Sequence, residues 1–397
     1  MAQFAGAVTA AQGFQAIGVH VGVKSSNTDK KDIALIYSEK PCTLGAMFTT
    51  NVVKAAPVQY DIEILAKGTA QAVFVNSGNA NACTGSQGHE DVRITAKAVA
   101  RSLGIAEDLV LVSSTGVIGQ NMPMDRILAG VELAAANLSA EGGHEAAEAI
   151  LTTDLHTKEM ALKVDLDGVE ATIGGIAKGS GMICPHMATM LAFITTDAVI
   201  EQKVLQQALT EAVAGSFNQI SVDGDMSTND SVILLANGLA GNAAIEPNTK
   251  AYQTFVDALT RICVYLAKKI ARDGEGATHL LEVRVEGAKT LAEARQIAKS
   301  IVSSNLVKAA IFGKDANWGR IICAAGYAGV DFDASKVDIY LQSYKGKMQV
   351  AKNGGGLVLD ENYAALILGD EEVTAVIDLH EGEAVGLAWG CDLSYDY

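Results

Sequence analysis

The sequence predicts an α/β or α+β protein built on large sheets, on three observations. Apolar runs of strand length alternate with amphipathic helical stretches along the whole chain. Glycine, at 39 residues, breaks those runs into short elements, while only 5 prolines interrupt them. And 397 residues, 49% of them hydrophobic, are enough to bury a substantial core in two domains rather than one.

The elements follow in chain order. The Asn- and Gly-rich run Asn76-Ser-Gly-Asn-Ala-Asn-Ala-Cys-Thr-Gly85 reads as a loop stabilised by side-chain-to-backbone bonds. Ser113-Ser-Thr-Gly116 reads as a strand end with a turn. Between Lys163 and Asp197 a Gly-rich stretch (Gly174, Gly175, Gly179, Gly181) runs into an apolar segment with Pro185 and several methionines, a pattern that suits close backbone approach. Ala251 to Asp273 is the clearest helix, because Tyr252, Phe255, Val256, Leu259, Ile262, Cys263, Leu266 and Ile270 share one stripe, and it stops at Gly274. Leu281, Val283 and Val285 then alternate with Glu282, Arg284 and Glu286, the period-2 pattern of a half-buried strand. Helices are expected over Leu291 to Val302 and Trp318 to Ala328, and strands around Val337 to Leu341 and Val373 to Leu379. The expected division is a larger domain over residues 1–287 and a smaller carboxyl-terminal one over 288–397. No fixed-period repeat or low-complexity tract is present.

Composition excludes several functions. The net charge of −16 comes from Asp and Glu spread along the chain, without a Lys/Arg block to track a phosphate backbone, so nucleic acid is not expected as a partner. The six cysteines stand singly, with no C-x-x-C spacing, which argues against a zinc site and against a secreted disulfide framework. No apolar stretch is long enough for a membrane span. The amino-terminal MAQFAGAVTAAQGFQA has neither a basic region before an apolar run nor an arginine, so no leader is expected and a reducing cytoplasm is the expected setting.

The segment from Lys178 to Leu191 offers nucleophiles beside flexible backbone. A P-loop fails because Ser180 stands where that motif needs lysine, and a dinucleotide fingerprint fails for want of its third glycine. Cys184 and His186 suggest a thiolate pair, yet a catalytic base ordinarily comes from elsewhere in the fold, so packing is the preferred role for Cys184. Ser221-Val-Asp-Gly-Asp-Met-Ser-Thr-Asn-Asp230 imitates a calcium loop, but Thr228 and Leu234 occupy the positions for the turn glycine and the bidentate glutamate. Asp223 and Asp225 are expected to satisfy backbone amides in a tight turn, and no metal is expected.

Lys178-Gly-Ser-Gly-Met182 and Met187-Ala-Thr-Met-Leu191 resemble the self-processing junction of the ornithine acetyltransferase family. Asn76 to Gly85, Ser114-Thr-Gly-Val-Ile-Gly119, Thr152-Thr-Asp154, Val222 to Asp230, Ala271-Arg-Asp-Gly-Glu-Gly-Ala-Thr278 and Trp389 to Tyr395 resemble further blocks of that family in family order, so the resemblance spans the chain. It implies a two-domain layered sandwich of the kind shared with self-processing aminopeptidases. It also implies that the Thr189 hydroxyl attacks the Ala188 carbonyl, giving chains 1–188 and 189–397 that remain intertwined and pair into an α2β2 heterotetramer.

The implied activity is transfer of acetyl from N-acetylornithine to glutamate by double displacement, in arginine biosynthesis. Thr189 is nucleophile and, through its freed amine, base; Thr115 and Gly116 form the oxyanion hole; Thr152, Lys178, Thr189 and Glu275 bind substrate. No bound cofactor is implied. Some members also take acetyl-CoA as donor, and nothing in the residues decides between the two kinds. Family chains run on past Tyr397 through a short tail that touches substrate, so lack of that tail is expected to weaken substrate holding rather than self-cleavage. Two other readings stand beside this one: a self-processing amidohydrolase or aminopeptidase with water as second acceptor, and an inert binding homologue. A surface lysine before a turn, and a plain loop residue, are the alternatives for Lys178 and Glu275.

Overall fold

The structure is a computed structural model that describes every residue except 1, 5, 25, 27 and 185–189, with the backbone alone for Ala2–Phe4. The chain forms two compact units interleaved in sequence: Met1–Gly179, His186–Ala214 and Met226–Leu266 make the first, and Ser180–Pro185, Gly215–Asp225 and Ala267–Tyr397 the second.

The first unit is built on a nine-stranded sheet. Its longest strand, Ile33–Phe48, shifts register against Thr69–Asn76 between Tyr37 and Cys42, around the exposed Glu39-Lys-Pro41. Ile33 to Tyr37 pair with both Phe14–Val19 and Thr69–Asn76, whereas Thr43 to Phe48 pair with Ser231–Ala236. Proline lacks the amide a continuous ladder needs, which is why the register shifts there. Alternate side chains divide between two cores. Ala34, Ile36, Val73 and Val75 enter one with Ala146 and Ala147, from the helix Gly143–Ala149. Ile33, Leu35, Ala72 and Phe74 enter another, with Val92, Val99, Ile127 and Val131 from the helices Gly85–Leu103 and Met124–Ala136. A sheet buried on both faces gives continuous apolar runs rather than alternation.

The second unit carries a seven-stranded sheet with helices packed on it. Leu281, Val283 and Val285 are buried on the strand Leu280–Ala288, while Glu282, Arg284 and Glu286 stay outside that core. The helix Leu291–Val302 contributes Ile297 and Ile301 to the same core, and its first turn closes with a capping box between Thr290 and Glu293. The helix Trp318–Gly326 ends two residues before the expected Ala328, because Tyr327 leaves helical geometry with ψ at 12°. The strands Asp338–Ser343 and Glu372–Asp378 lie where alternation places them. The long helix Lys250–Arg272 buries its expected stripe and supplies residues to both units. The architecture is the layered α/β class that the sequence predicts.

Candidate active site

Strands Thr69–Asn76 and Val110–Ser114 run parallel, and Asn76 lies opposite Ser114 at their ends. From there the chain turns back on itself through polar side chains. Asn76 Oδ1 accepts the amides of Gly78 (3.2 Å) and Asn79 (3.0 Å), and Asn76 Nδ2 donates to Ser114 Oγ at 2.8 Å. The loop is thus held by side-chain-to-backbone bonds, as its composition predicts.

Gly116 sits at φ +129°, where a Cβ would lie 2.6 Å from the carbonyl carbon of Gly78, so only glycine fits. The Thr115 amide is committed, donating to Asn76 O at 2.9 Å. The Thr115 hydroxyl and the Gly116 amide, in contrast, make no hydrogen bond among the described residues, and Gly116 is exposed. Two unengaged donors on adjacent residues can receive an oxyanion. For Thr115 that donor is the side chain, not the backbone.

Ala188, Thr189 and His186 lie outside the described residues. The flank that follows them is well tied. Met190 N donates to Asp230 Oδ1 at 2.9 Å, Ser231 N donates to Met190 O at 3.1 Å, and Leu191 lies opposite both Ser231 and Lys178. Asn229, next in the chain, donates through Nδ2 to Ala80 O (2.6 Å) and Ser114 O (2.8 Å). The dipeptide Asn229-Asp230 therefore joins the Thr115 turn to the residue after Thr189. Burial raises the Asp230 pKa well above the usual carboxylate range, with the Met190 amide and Lys178 pulling the other way.

Lys178 ends the strand Val169–Lys178 and its side chain is only 3% exposed, which removes the surface-lysine alternative. Its ammonium makes no hydrogen bond among the described residues; its ion pair is with Asp154 Oδ2, 3.7 Å away. Asp154 also accepts Lys158 Nζ (2.8 Å), Gly179 N (2.6 Å) and Thr152 N (3.1 Å). Burial alone would raise the Asp154 pKa, but Lys178, Lys158 and the Gly179 amide hold it well below the usual range. Thr152 is half-buried, and its carbonyl accepts Lys30 Nζ at 2.7 Å.

In the second unit, Glu275 donates its amide to Ser180 O at 3.0 Å, and a Cβ on Gly181 would lie 2.7 Å from the Glu275 carboxyl carbon. Its loop is clamped by Asp392, which accepts Thr278 N (2.8 Å) and His279 N (2.9 Å) on Oδ1, and the Thr278 hydroxyl on Oδ2. Asp392 Oδ2 also lies 3.0 Å from His279 Nδ1. Ser394 Oγ donates to Gly276 O at 2.6 Å. Asp223 accepts the Asp225 amide, the turn role its sequence setting predicts, and also the amides of Met182 and Ile183, 41 and 40 residues away in the chain. Cys184 is half-buried near Lys299, whose pKa burial lowers to about 8. Among the described residues no three His, Cys, Asp or Glu side chains are placed to hold a metal.

Thr152 and Lys178 thus meet at Asp154, Thr115 and Gly116 connect to Met190 through Asn229-Asp230, and Glu275 belongs to the second unit. The structural roles of Asp154, Asn229 and Asp230 were not assigned from sequence. Their signal was position inside the Thr152-Thr-Asp154 and Val222 to Asp230 blocks, which carries no information about partners.

The ArgJ family model matches residues 15–397. The chain belongs to the ArgJ family. Among its ArgJ-family relatives, the arginine biosynthesis bifunctional protein ArgJ of Symbiobacterium thermophilum is 53% identical over 397 residues, covering 100% of this chain and 98% of the relative. That of Bacillus subtilis is 48% identical over 393 residues, covering 99% and 95%. Among solved structures, the Mycobacterium tuberculosis ornithine acetyltransferase complexed with ornithine is 45% identical, with a TM-score of 0.42, over 45% of this chain and 94% of that one.

Proposed function

We propose that this ArgJ-family chain transfers the acetyl group of N2-acetyl-L-ornithine to L-glutamate in arginine biosynthesis, as an acyltransferase with an acetyl-Thr189 intermediate. The observation that carries the reading is the family match over residues 15–397, joined by relatives at about half identity that are named for arginine biosynthesis.

The steps balance on this chain's own groups. Thr189 Oγ adds to the Ala188 carbonyl, the Ala188–Thr189 C–N bond breaks, and the Thr189 nitrogen keeps its proton and gains that of the hydroxyl. Water then hydrolyses the ester, leaving an Ala188 carboxylate and a free Thr189 α-amine. An α-amine has a pKa of about 7.7–8, so near neutrality it takes the proton from its own hydroxyl as that oxygen attacks the acetyl carbonyl. The Thr115 hydroxyl and Gly116 amide receive the oxyanion. Ornithine leaves with the proton held by the Thr189 amine. Glutamate's amine then attacks the ester, and Thr189 Oγ recovers a proton as N-acetylglutamate departs.

Lys178 receives the substrate α-carboxylate, a role supported by its buried ammonium, which makes no hydrogen bond among the described residues. Glu275 receives an ammonium, and Thr152 completes the binding set. Acetyl-CoA is a second donor, in keeping with the word bifunctional in the relatives' names. The setting is the cytoplasm, which suits six free cysteines, and two cleaved pairs assemble as α2β2. Among the described residues no helix is long and apolar enough to cross a membrane.

The test is incubation with N-acetylornithine, with and without glutamate, and separately with acetyl-CoA and glutamate. Ornithine should appear in step with N-acetylglutamate. Release of ornithine at the same rate without glutamate would make the chain a hydrolase, and an active Thr189→Ala would remove Thr189 from the chemistry.

A further inference from the structure

The structure assigns to Asp154 the part of a positioning residue, one that sets the Lys178 ammonium and the Thr152 loop in a single arrangement before substrate arrives. The inference rests on the reading of Lys178 and Thr152 as substrate-binding residues. It adds a residue to which neither composition nor the resemblance gives a role.

The geometry carries it. The Asp154 side chain is wholly buried, and donors reach it from three stretches of chain. Thr152 N comes from its own loop, Lys158 Nζ from the start of the strand Lys158–Leu166, and Gly179 N and Lys178 Nζ from the end of Val169–Lys178. The two lysines are held differently. Lys158 Nζ, at 2.8 Å, makes a full charge-assisted hydrogen bond. Lys178 Nζ, at 3.7 Å, is attracted by charge but lies beyond hydrogen-bond distance. A buried ammonium whose donors are unfilled among the described residues is unfavourable in the free protein and becomes favourable when an anion enters. Asp154 thus keeps Lys178 charged and placed while leaving its N–H groups for that anion.

Protonation follows the same logic. The groups that act on Lys178 are Asp154, Lys158, Asp230 and Lys30. Burial lowers its pKa, Asp154 and Asp230 raise it, and Lys158 and Lys30 lower it. Removing the Asp154 charge lowers it further, so the ammonium, which exists only below its pKa, is lost at a lower pH.

The experiment measures KM and kcat for N-acetylornithine against pH in the self-cleaved protein, for Asp154→Asn, Asp154→Glu, Lys178→Met and Asp154→Asn/Lys178→Met, with a melting curve for each. Asp154→Asn should raise KM on the order of tenfold, proportionally more than it lowers kcat, and the alkaline rise in KM should begin at lower pH than in the parent. In the Lys178→Met background the same change should add little. Asp154→Glu keeps the charge but displaces it, so its pH limb should stay near that of the parent while KM rises. If Asp154→Asn does not fold, Asp154→Glu decides: a parental KM would mean that the carboxylate's position is immaterial and would overturn the inference. Additive effects of Asp154→Asn and Lys178→Met would overturn it alone, leaving Lys178 as a binding residue. A parental KM for Lys178→Met would overturn the binding role of Lys178 and this inference with it.

Discussion

Thr115 offers its hydroxyl rather than its amide, because Asn76 O already takes that amide. Thr115→Ala therefore deletes one of the two proposed oxyanion donors outright and leaves the Gly116 amide. Turnover should fall by about 10²–10³ while KM changes little, since such a donor acts mainly in the transition state. Thr115→Ser restores a hydroxyl and should recover most of the rate; an alanine variant with parental kcat and weakened binding would refute the assignment. Cys184→Ala should leave acetyl transfer near the parental rate, because the thiol is half-buried and the proposed mechanism gives it no part; complete loss of activity would reinstate the thiolate reading. At this scale the sequence names the candidate reacting groups but not their partners. Lys178 reads as a lysine before a turn, and only folding brings Asp154 and Lys158 to it across antiparallel strands.

At the scale of elements, the loop that bears Glu275 is held by Asp392, at the end of the strand Ala384–Cys391, through two backbone amides and two side chains. Burial opposes this carboxylate's charge, but His279 and Thr278 bonds hold its pKa down to about 2. A carboxylate whose folded pKa is depressed adds stability that is fully present above its unfolded value of about 3.9, and that stability is lost as pH falls through the folded one. Asp392→Asn should thus lower the melting temperature at neutral pH and flatten its fall between about pH 4 and 2; an unchanged acid profile would show that the clamp does not depend on charge. The capping box offers a second check: Thr290→Ala should destabilise the second unit by about 1 kcal/mol in denaturant unfolding, and no measurable change would show the box to be dispensable. Period-2 alternation revealed Leu280–Ala288 because a helix layer covers one face of it. The strand Ile33–Phe48 gave no such signal: it is buried on both faces and broken in the middle by Glu39-Lys-Pro41.

For the whole molecule, the blocks in family order made the fold class legible, yet not the interleaving of the two units, which arises from contacts far apart in sequence that no local period records. Interleaving also decides what the proposed cleavage after Ala188 would do. In the nine-stranded sheet, Leu191–Thr196 and Ser231–Ala236 belong to the segment 189–397. Their neighbours on either side, Val169–Lys178 and Ile33–Phe48, belong to 1–188. Both inner strands are buried at every residue. Drawing them out would expose two apolar strands and leave the ladders to Val169–Lys178 and Ile33–Phe48 without partners, a penalty paid at each buried amide and carbonyl. The two cleaved fragments should therefore co-elute on gel filtration in native buffer and separate only in denaturant. Thr189→Ala, which keeps one chain, should melt within a few degrees of the cleaved protein, because the same ladders hold both. Fragments that part in native buffer would mean that the sheet does not bind the two segments as its hydrogen-bond order requires.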